Sequence, residues 1–213
     1  MASEREVQIA CGSHRLFGNL VAPRGACGVV AFAHGSGSGR FSPRNQFVAR
    51  VLQEAGLATL LMDLLDEEEA EDRQRVFDIS LLAQRLQSAA EWLSGQDATM
   101  HLPLGYFGAS TGAGAALVAA ARDPQRVKAV VSRGGRPDLA RDFLLSVQAP
   151  TLLIVGGNDD VVIELNEQAL RKLQCPTQLT IVPGATHLFE EPGTLEEVTR
   201  WAKEWFLRYL FGD

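Results

Sequence analysis

The stretch that sets the fold covers residues 104–121 and reads LGYFGASTGAGAALVAAA. It contains, in order, an apolar run, a Gly-x-Ser-x-Gly turn and a series of small residues. This order predicts a strand, a tight turn and a helix, with the Ser110 hydroxyl held above a sheet at the start of the helix. Gly108 and Gly112 leave room where a side chain would collide with neighbouring backbone. We therefore expect Ser110 to be an exposed nucleophile; an ordinary glycine-rich strand-to-helix turn is the alternative.

The rest of the chain alternates between strand-like and helix-like segments. Two loosely alternating segments, 5–10 and 16–21, predict an opening antiparallel hairpin. Continuous apolar runs predict further buried strands, and apolar residues spaced by three or four predict helices. The strands are expected at 28–33, 57–62, 127–132, 151–155 and 177–182, and the helices at 43–55, 76–93, 163–173 and 194–210. The pattern predicts one α/β domain, 1–213, in which a mostly parallel central sheet of about eight strands carries helices on both faces.

Composition narrows the classes of partner. The chain has 213 residues, 46% of them hydrophobic, and a net charge of −6. An acidic protein lacks the basic surface that nucleic acids and anionic membranes require. No apolar run reaches the roughly 18 residues of a membrane span, and no secretory leader opens the chain. We therefore expect a cytoplasmic protein with a small-molecule substrate and with neither a nucleic-acid nor a membrane partner; the oligomeric state stays open.

Neither the cysteines nor the acidic cluster predicts a metal site. Cys11, Cys27 and Cys175 occur at no metal-ligand spacing and are expected to be free thiols. Residues 66–72 read DEEEAED, and a run of this kind is usually solvated and mobile. We interpret it as a loop or the edge of a lid, and His14 as a surface histidine beside the first hairpin turn.

Ser110, Asp159 and His187 each follow a predicted strand. Because ligand sites gather at the carboxyl ends of parallel strands, we expect the three side chains to meet at one edge of the sheet. His187 would remove the Ser110 proton as a general base and return it to the leaving group, while Asp159 fixes the imidazole tautomer. The chain order nucleophile, acid, base is the one that accompanies this serine turn. Asp160 is a second candidate for the acid, and Asp159 could instead cap the following helix.

A tetrahedral intermediate carries negative charge on the former carbonyl oxygen and needs preorganised donors. The backbone N–H of Thr111 is one candidate, and the N–H of Ser36 in the loop HGSGSG, residues 34–39, is the second. A phosphate-binding loop is the alternative for this segment. The segment lacks the Lys-Ser/Thr ending of a P-loop and the glycine spacing of a dinucleotide fingerprint, so we favour an oxyanion hole.

Arginines follow several strands at the same predicted edge of the sheet. Arg40 and Arg133 are candidates for binding a carboxylate or phosphate on the substrate, because a guanidinium pairs with such groups through two hydrogen bonds. Arg44 and Arg136 lie nearby in sequence. Pairing with surface acids is an equally good explanation for each of them.

Together these residues resemble the α/β-hydrolase superfamily and, within it, the dienelactone-hydrolase-like group. The resemblance rests on the turn 108–112, on the strand end LLIVGGND at 152–159, and on Ala185-Thr186-His187. It implies hydrolysis of a small carboxylic ester or lactone through an acyl-enzyme, without a metal or an organic cofactor, by a domain without a large helical cap. The chain carries Ser110 where dienelactone hydrolase itself has a cysteine, which weakens the expectation that dienelactone is its substrate.

Two further functions are compatible with the same residues. A thioesterase or acyltransferase would use the same triad on a different acyl donor. A non-catalytic protein on the same fold would use the pocket to bind a small molecule.

Overall fold

Eight strands form one sheet in the computed structural model, which describes residues 3–211. The strands are β1 (Arg5–Cys11), β2 (His14–Val21), β3 (Val29–Ala33), β4 (Ala58–Met62), β5 (Leu104–Ala109), β6 (Val127–Arg133), β7 (Thr151–Gly156) and β8 (Thr177–Val182). Their order across the sheet is β1-β2-β4-β3-β5-β6-β7-β8. β2 pairs antiparallel with both β1 and β4, and the other neighbours are parallel.

Helices cover both faces of the sheet. They are α1 (Pro43–Glu54), α2 (Glu67–Glu71), α3 (Arg73–Val76), α4 (Ile79–Ser94), α5 (Thr111–Arg122), α6 (Asp160–Lys172) and α7 (Thr194–Leu210), with a 3₁₀ segment at Pro137–Ser146. α4 and α5 pack into one apolar core with the sheet, and α1 and α7 pack into the other. Since both faces are covered, the central strands are mostly apolar and are buried along almost their whole length. Every residue of β3, β4, β5 and β7 is buried.

The chain changes direction across the sheet between β3 and β5. It leaves β3 for β4 on one side and later enters β5 on the other side. The carboxyl ends of β3 and β5 therefore flank a crevice at the topological switch point, where α/β sheets bind their ligands. Ala33 at the end of β3 is paired with Gly108 near the end of β5. The loop that begins at His34 and the turn at Ser110 consequently start side by side.

The predicted fold class is confirmed, including the absence of a large cap from the described residues. The expected helix over 76–93 begins later, at Ile79. The reason is Asp78, whose side chain accepts the Leu81 N–H at 3.0 Å and so caps α4, while Val76 ends the separate helix α3.

The acidic run at 66–72 contains the short helix α2, so the expectation of a loop was wrong, whereas most of the run is exposed, as expected, and only Glu69 is buried. Asp66 accepts the N–H of Glu69 at 2.8 Å, and Glu69 Oε2 accepts the N–H of Asp66 at 3.3 Å. This reciprocal pair is a capping box. Glu69 points inward and is 3% exposed, with Oε1 2.9 Å from Arg85 and 2.8 Å from Arg75. One carboxylate thus fixes α2 to the core through Arg85 on α4.

The buried Glu69–Arg85 pair yields a stability prediction. We expect Glu69→Ala to lower the free energy of unfolding by about 3 kcal/mol, because the Arg85 guanidinium is then buried without its counter-ion. Urea denaturation followed by circular dichroism measures this change. Glu68→Ala is the matched control, because Glu68 is exposed on the same helix. This substitution should change the free energy of unfolding by no more than about 0.5 kcal/mol. Equal losses for the two variants would contradict the assignment.

Candidate active site

Ser110 occupies a strained turn between β5 and α5. Its φ is 50° and its ψ is −121°, a combination that non-glycine residues rarely adopt and that tends to occur at functional sites. The turn is held from two sides, because the Ser110 N–H donates to the Arg133 carbonyl at 3.2 Å and the Ser110 carbonyl accepts the Arg136 N–H at 3.0 Å. Ser110 is therefore fixed to the end of β6 as well as to its own strand.

Two glycines permit the turn. A Cβ on Gly112 would collide with the carbonyl oxygens of Ala33 and His34, and a Cβ on Gly108 would lie 2.5 Å from the Cα of Ala113. The start of α5 thus lies directly against the end of β3. No side chain fits between these backbones, which explains the Gly-x-Ser-x-Gly spacing in physical terms.

His187 lies between Ser110 and Asp159. Its Nε2 is 3.4 Å from Ser110 Oγ, and its Nδ1 is 2.6 Å from Asp159 Oδ2. With the proton on Nδ1, the imidazole donates to the carboxylate and accepts from the serine hydroxyl. The longer Ser110 contact is within the looseness that substrate-free sites show. The three residues that the sequence singled out are therefore brought together at the carboxyl edge of the sheet.

Nδ1 of His187 contacts the carboxylate of Asp159 and not that of Asp160. Asp159 directly precedes α6, yet its side chain makes no capping hydrogen bond and is turned to His187 instead. Asp160 is the first residue of the helix and is exposed. The geometry thus distinguishes two adjacent carboxylates that the sequence could not separate.

Hydrogen bonds between loops hold the imidazole in place. The Asn158 N–H donates to the Ala185 carbonyl at 2.9 Å, which joins the loop after β7 to the loop after β8. Thr186 donates to Glu191 through its N–H at 3.1 Å and through its hydroxyl at 2.6 Å. These two bonds hold the pKa of Glu191 below its ordinary value, so it stays an acceptor. His187 therefore sits in a short loop that is anchored on both sides.

The loop after β3 runs beside the nucleophile. A Cβ on Gly35 would lie 3.0 Å from the Cβ of Ser110, so the loop contacts the turn directly. His34 shapes this loop: Nδ1 donates to the Gly35 carbonyl at 2.9 Å, and Nε2 accepts the Leu64 N–H at 2.9 Å. Burial lowers the pKa of His34, which keeps the imidazole neutral and able to accept that bond.

Ser36 and Thr111, the predicted oxyanion-hole residues, lie in contact with each other. The Ser36 N–H donates to the Thr111 hydroxyl at 3.0 Å, and this bond was not foreseen from the sequence. The Thr111 N–H belongs to the first residue of α5, where a helical N–H has no partner within the helix. An oxyanion bound by both amides would replace the Thr111 hydroxyl as the acceptor of the Ser36 N–H.

The two candidate substrate-binding arginines differ in their surroundings. Arg40 is ion-paired with Glu6 at 3.0 Å and with Asp63 at 3.3 Å, so carboxylates of the protein itself neutralise its charge. Arg133 is buried, and its only side-chain hydrogen bond in the described residues is a long one, 3.4 Å, to Asn45. Burial and the neighbouring Arg44 lower the pKa of Arg133 to about 10. The structure does not present Arg133 at the cavity that Arg40 lines.

That cavity has a volume of ≈ 790 Å³ and begins at Ser36 and Thr111. It runs from there between the start of β2 and the segment 65–76, which contains α2 and α3. Sequence reasoning missed it, because its walls come from segments that are distant along the chain. The exposed rings of Phe17 and Phe41 were the available signal.

His14, Asp66 and Glu69 form a group with metal-ligand chemistry, their candidate ligand atoms all lying within 4.8 Å of one another. His14 Nδ1 is 2.8 Å from Asp66 Oδ2, and the pKa of Asp66 is lowered by the Glu69 N–H and by this imidazole. Arg75 and Arg85 already neutralise Glu69 and would repel a cation. The group is therefore explained as an ion-pair network, in which His14 is only partly exposed.

Comparison with known proteins identifies the family. The model of the dienelactone hydrolase family matches residues 19–210. The chain belongs to the dienelactone hydrolase family. It is 60% identical to a dienelactone hydrolase from Anabaena variabilis, whose crystal structure superposes with a TM-score of 0.95 over 98% of this chain and 99% of that one.

Other members and neighbours differ in length or in sequence. A Mycobacterium tuberculosis protein named "Putative phosphoribosyl transferase Rv0571c" is 60% identical over 98% of this chain, which covers only 47% of that protein. The chain thus spans about half the length of this curated relative. Est1E from Butyrivibrio proteoclasticus shares the fold, with a TM-score of 0.81 at 19% identity over 95% of this chain and 98% of that chain. Within residues 3–211, no helix of this family member is long and apolar enough to cross a membrane.

The contact of Gly112 with the end of β3 yields a prediction. We expect Gly112→Ala to lower the free energy of unfolding by about 3 kcal/mol, because the new methyl group collides with fixed backbone oxygens. Urea denaturation measures the change. Gly95→Ala is the matched control: its φ is −101° and the nearest atom to the added Cβ is 3.6 Å away, so stability should change by less than about 0.5 kcal/mol. An unaffected Gly112→Ala protein would show that β3 and α5 can separate freely.

Proposed function

We propose that this protein is a serine esterase that hydrolyses a small carboxylic ester or lactone through an acyl-enzyme. The observation that carries the proposal is the chain of contacts from Asp159 through His187 to Ser110, with distances of 2.6 and 3.4 Å, at the switch point of the sheet. Membership of the dienelactone hydrolase family supports the same reaction class. The proposed partner is a small-molecule substrate, and the reaction requires neither a metal nor an organic cofactor.

The first half-reaction acylates the serine. Ser110 Oγ attacks the ester carbonyl carbon while His187 Nε2 takes the hydroxyl proton. The carbonyl oxygen becomes an oxyanion, which accepts from the N–H groups of Ser36 and Thr111. Collapse of this intermediate breaks the bond to the alcohol oxygen, and the imidazolium returns its proton to that oxygen. The alcohol leaves, and the acyl group remains on Ser110.

The second half-reaction consumes water. His187 takes one proton from a water molecule, whose oxygen attacks the acyl carbon, and the same two amides hold the new oxyanion. The intermediate collapses with transfer of the proton back to Ser110 Oγ, which releases the carboxylic acid. Asp159 keeps the Nδ1 proton in place during both steps and stabilises the imidazolium.

Labelling of the nucleophile tests the proposal directly. A fluorophosphonate should react with one serine per chain, detected by mass spectrometry of the intact protein, and Ser110→Ala should abolish the reaction. The wild-type protein should also hydrolyse p-nitrophenyl butyrate, and Ser110→Ala should reduce kcat by about 10⁴-fold or more. A folded protein that is neither labelled nor active would favour a small-molecule-binding role for the same pocket.

Asp159 and Asp160 form a matched pair for testing the acid. We expect Asp159→Asn to lower kcat by roughly 10³- to 10⁴-fold, because the amide stabilises the wrong imidazole tautomer. Asp160→Asn should change kcat by less than about twofold, since the Asp160 side chain is exposed and makes no contact with the imidazole. Steady-state kinetics on p-nitrophenyl butyrate measures both. A larger loss of kcat in Asp160→Asn than in Asp159→Asn would identify Asp160 as the acid instead.

Thioester hydrolysis and acyl transfer are the alternatives on the same triad. Hydrolysis of butyryl-CoA and of p-nitrophenyl butyrate by the same preparation separates an esterase from a thioesterase, because the acyl group is identical. The name of the Mycobacterium tuberculosis relative describes a protein about twice as long as the matched region. Phosphoribosyl transfer is therefore not the function that we assign to this chain.

A further inference from the structure

The cavity beside the oxyanion loop is large for the small ester that the reaction needs. Its volume is ≈ 790 Å³, within the range of about 300–1,000 Å³ that drug-sized ligands occupy. Gly35, Ser36 and Thr111 form its inner end. Ser110 itself does not line the cavity, but Gly35, which does, packs directly against it: a Cβ on Gly35 would lie 3.7 Å from Ser110 Oγ. A group attached to the reacting carbonyl carbon can therefore enter it.

The position of His187 indicates which side of the ester enters. The alcohol oxygen must stay within hydrogen-bond reach of Nε2, because the imidazolium protonates it. None of the residues 183–191 around His187 lines the cavity, whereas both predicted oxyanion donors do. The carbonyl oxygen is thus assigned to the inner end of the cavity, at Ser36 and Thr111, and the alcohol oxygen to the side of His187. The acyl chain is the substituent that remains to extend into the cavity.

The walls are mostly apolar, and the charges that they carry are largely paired. The apolar contributions come from Leu16, Phe17, Phe41, Leu65, Val76 and Leu82. Among the charged residues of the lining, Arg40 is held between the carboxylates of Glu6 and Asp63, and Asp66 pairs with His14. The Arg40 guanidinium also stacks over Phe17 and Phe41, at 5.1 and 4.5 Å from the ring centroids. It thereby becomes part of the wall, with its charge already neutralised.

The unpaired charges lie at the rim. Glu67 and Glu68 are exposed and form no ion pair with the described residues, and exposed Arg15 supplies one positive charge against their two negative ones. An acyl chain that ends in a carboxylate would therefore meet a rim with an excess of negative charge and an interior without a free cation. An uncharged chain gains from leaving water and pays no such desolvation cost.

We propose that the cavity is the acyl pocket and that it selects an uncharged, mainly apolar acyl group much larger than acetyl, such as a medium-chain or aromatic acid. This inference rests on the proposed esterase function and names its substrate class. The alcohol part lies outside the pocket, on the side of His187, and is selected weakly.

Two ester series test the assignment. With p-nitrophenol as the constant leaving group, kcat/KM, corrected for alkaline reactivity, should rise at least about tenfold from acetate to hexanoate and to benzoate. The mono-p-nitrophenyl ester of adipic acid matches the hexanoate in chain length but ends in a carboxylate. Its kcat/KM should be lower than that of the hexanoate by at least about tenfold. The kcat/KM values of the acetates of phenol, benzyl alcohol and naphthol, corrected in the same way, should differ much less than those of the acyl series. A larger spread of kcat/KM in the alcohol series than in the acyl series would overturn the proposal. A higher kcat/KM for the adipate than for the hexanoate would do the same.

Substitutions that fill the pocket provide the second test. Ala70→Trp and Val76→Trp add bulk to the outer wall, where both residues retain some exposure. Each should lower the ratio of hexanoate to acetate kcat/KM by at least about tenfold. Ala10→Trp is the matched control, because Ala10 is exposed on β1 and does not line the cavity, and its ratio should equal that of the wild-type protein. An unchanged ratio in both folded wall variants would contradict the assignment.

Binding separates failure of the pocket from failure of the reaction. Isothermal titration of Ser110→Ala with p-nitrophenyl hexanoate should show saturable binding that Ala70→Trp in the same background weakens at least about tenfold. If the wild-type protein hydrolyses no ester but this binding is present, the proposed function is wrong and the pocket assignment stands. If esters are hydrolysed but no such binding or acyl discrimination is found, the pocket assignment is wrong and the esterase stands.

Discussion

The close contact between the end of β3 and the start of α5 is the constraint on which the site depends. Gly112 brings the helix backbone against the carbonyl oxygens of Ala33 and His34, and Gly35 lies against Ser110. Through these contacts the nucleophile, the Ser36 amide and the Thr111 amide come within a few atoms of one another. In the proposed reaction both oxyanion donors would be backbone amides, and the Ser36 amide would exchange its bond to the Thr111 hydroxyl for the oxyanion. The Ser36 bond to the Thr111 hydroxyl keeps one of these donors satisfied while no substrate is bound.

Much of the fold and the placement of the three candidate site residues could be predicted from the sequence because both depend on local pattern. Strands buried on both faces appear as continuous apolar runs, and the last helix, α7, has the bounds 194–210 that its periodicity predicts. The topology then brings Ser110, Asp159 and His187 to one edge, since each follows a parallel strand. The sequence left Asp159 and Asp160 as alternatives, because adjacent carboxylates cannot be separated until the direction of each side chain is known.

The features that could not be predicted depend on partners far away along the chain. Glu69 looked like one acid in a solvated run, and only Arg85 on α4 explains why it is buried. Arg40 suggested an anion site, but Glu6 on β1 and Asp63 just after β4 neutralise it. Arg133 was expected to follow a strand at 127–132, but it is the last residue of β6, and it is buried next to Arg44. The cavity was missed for the same reason, because its walls assemble only in the folded protein.

The outer wall of the cavity belongs to one connection, between β4 and α4, which contributes no residue to the Asp159, His187 and Ser110 contacts. Glu69 ties that connection to the core at a point remote from the turn at Ser110. Under the proposed assignment, the outer wall that would select the acyl group is therefore encoded apart from Ser110, Asp159 and His187. Exchange of the 65–76 segment alone would then alter the acid preference and leave those three residues in place.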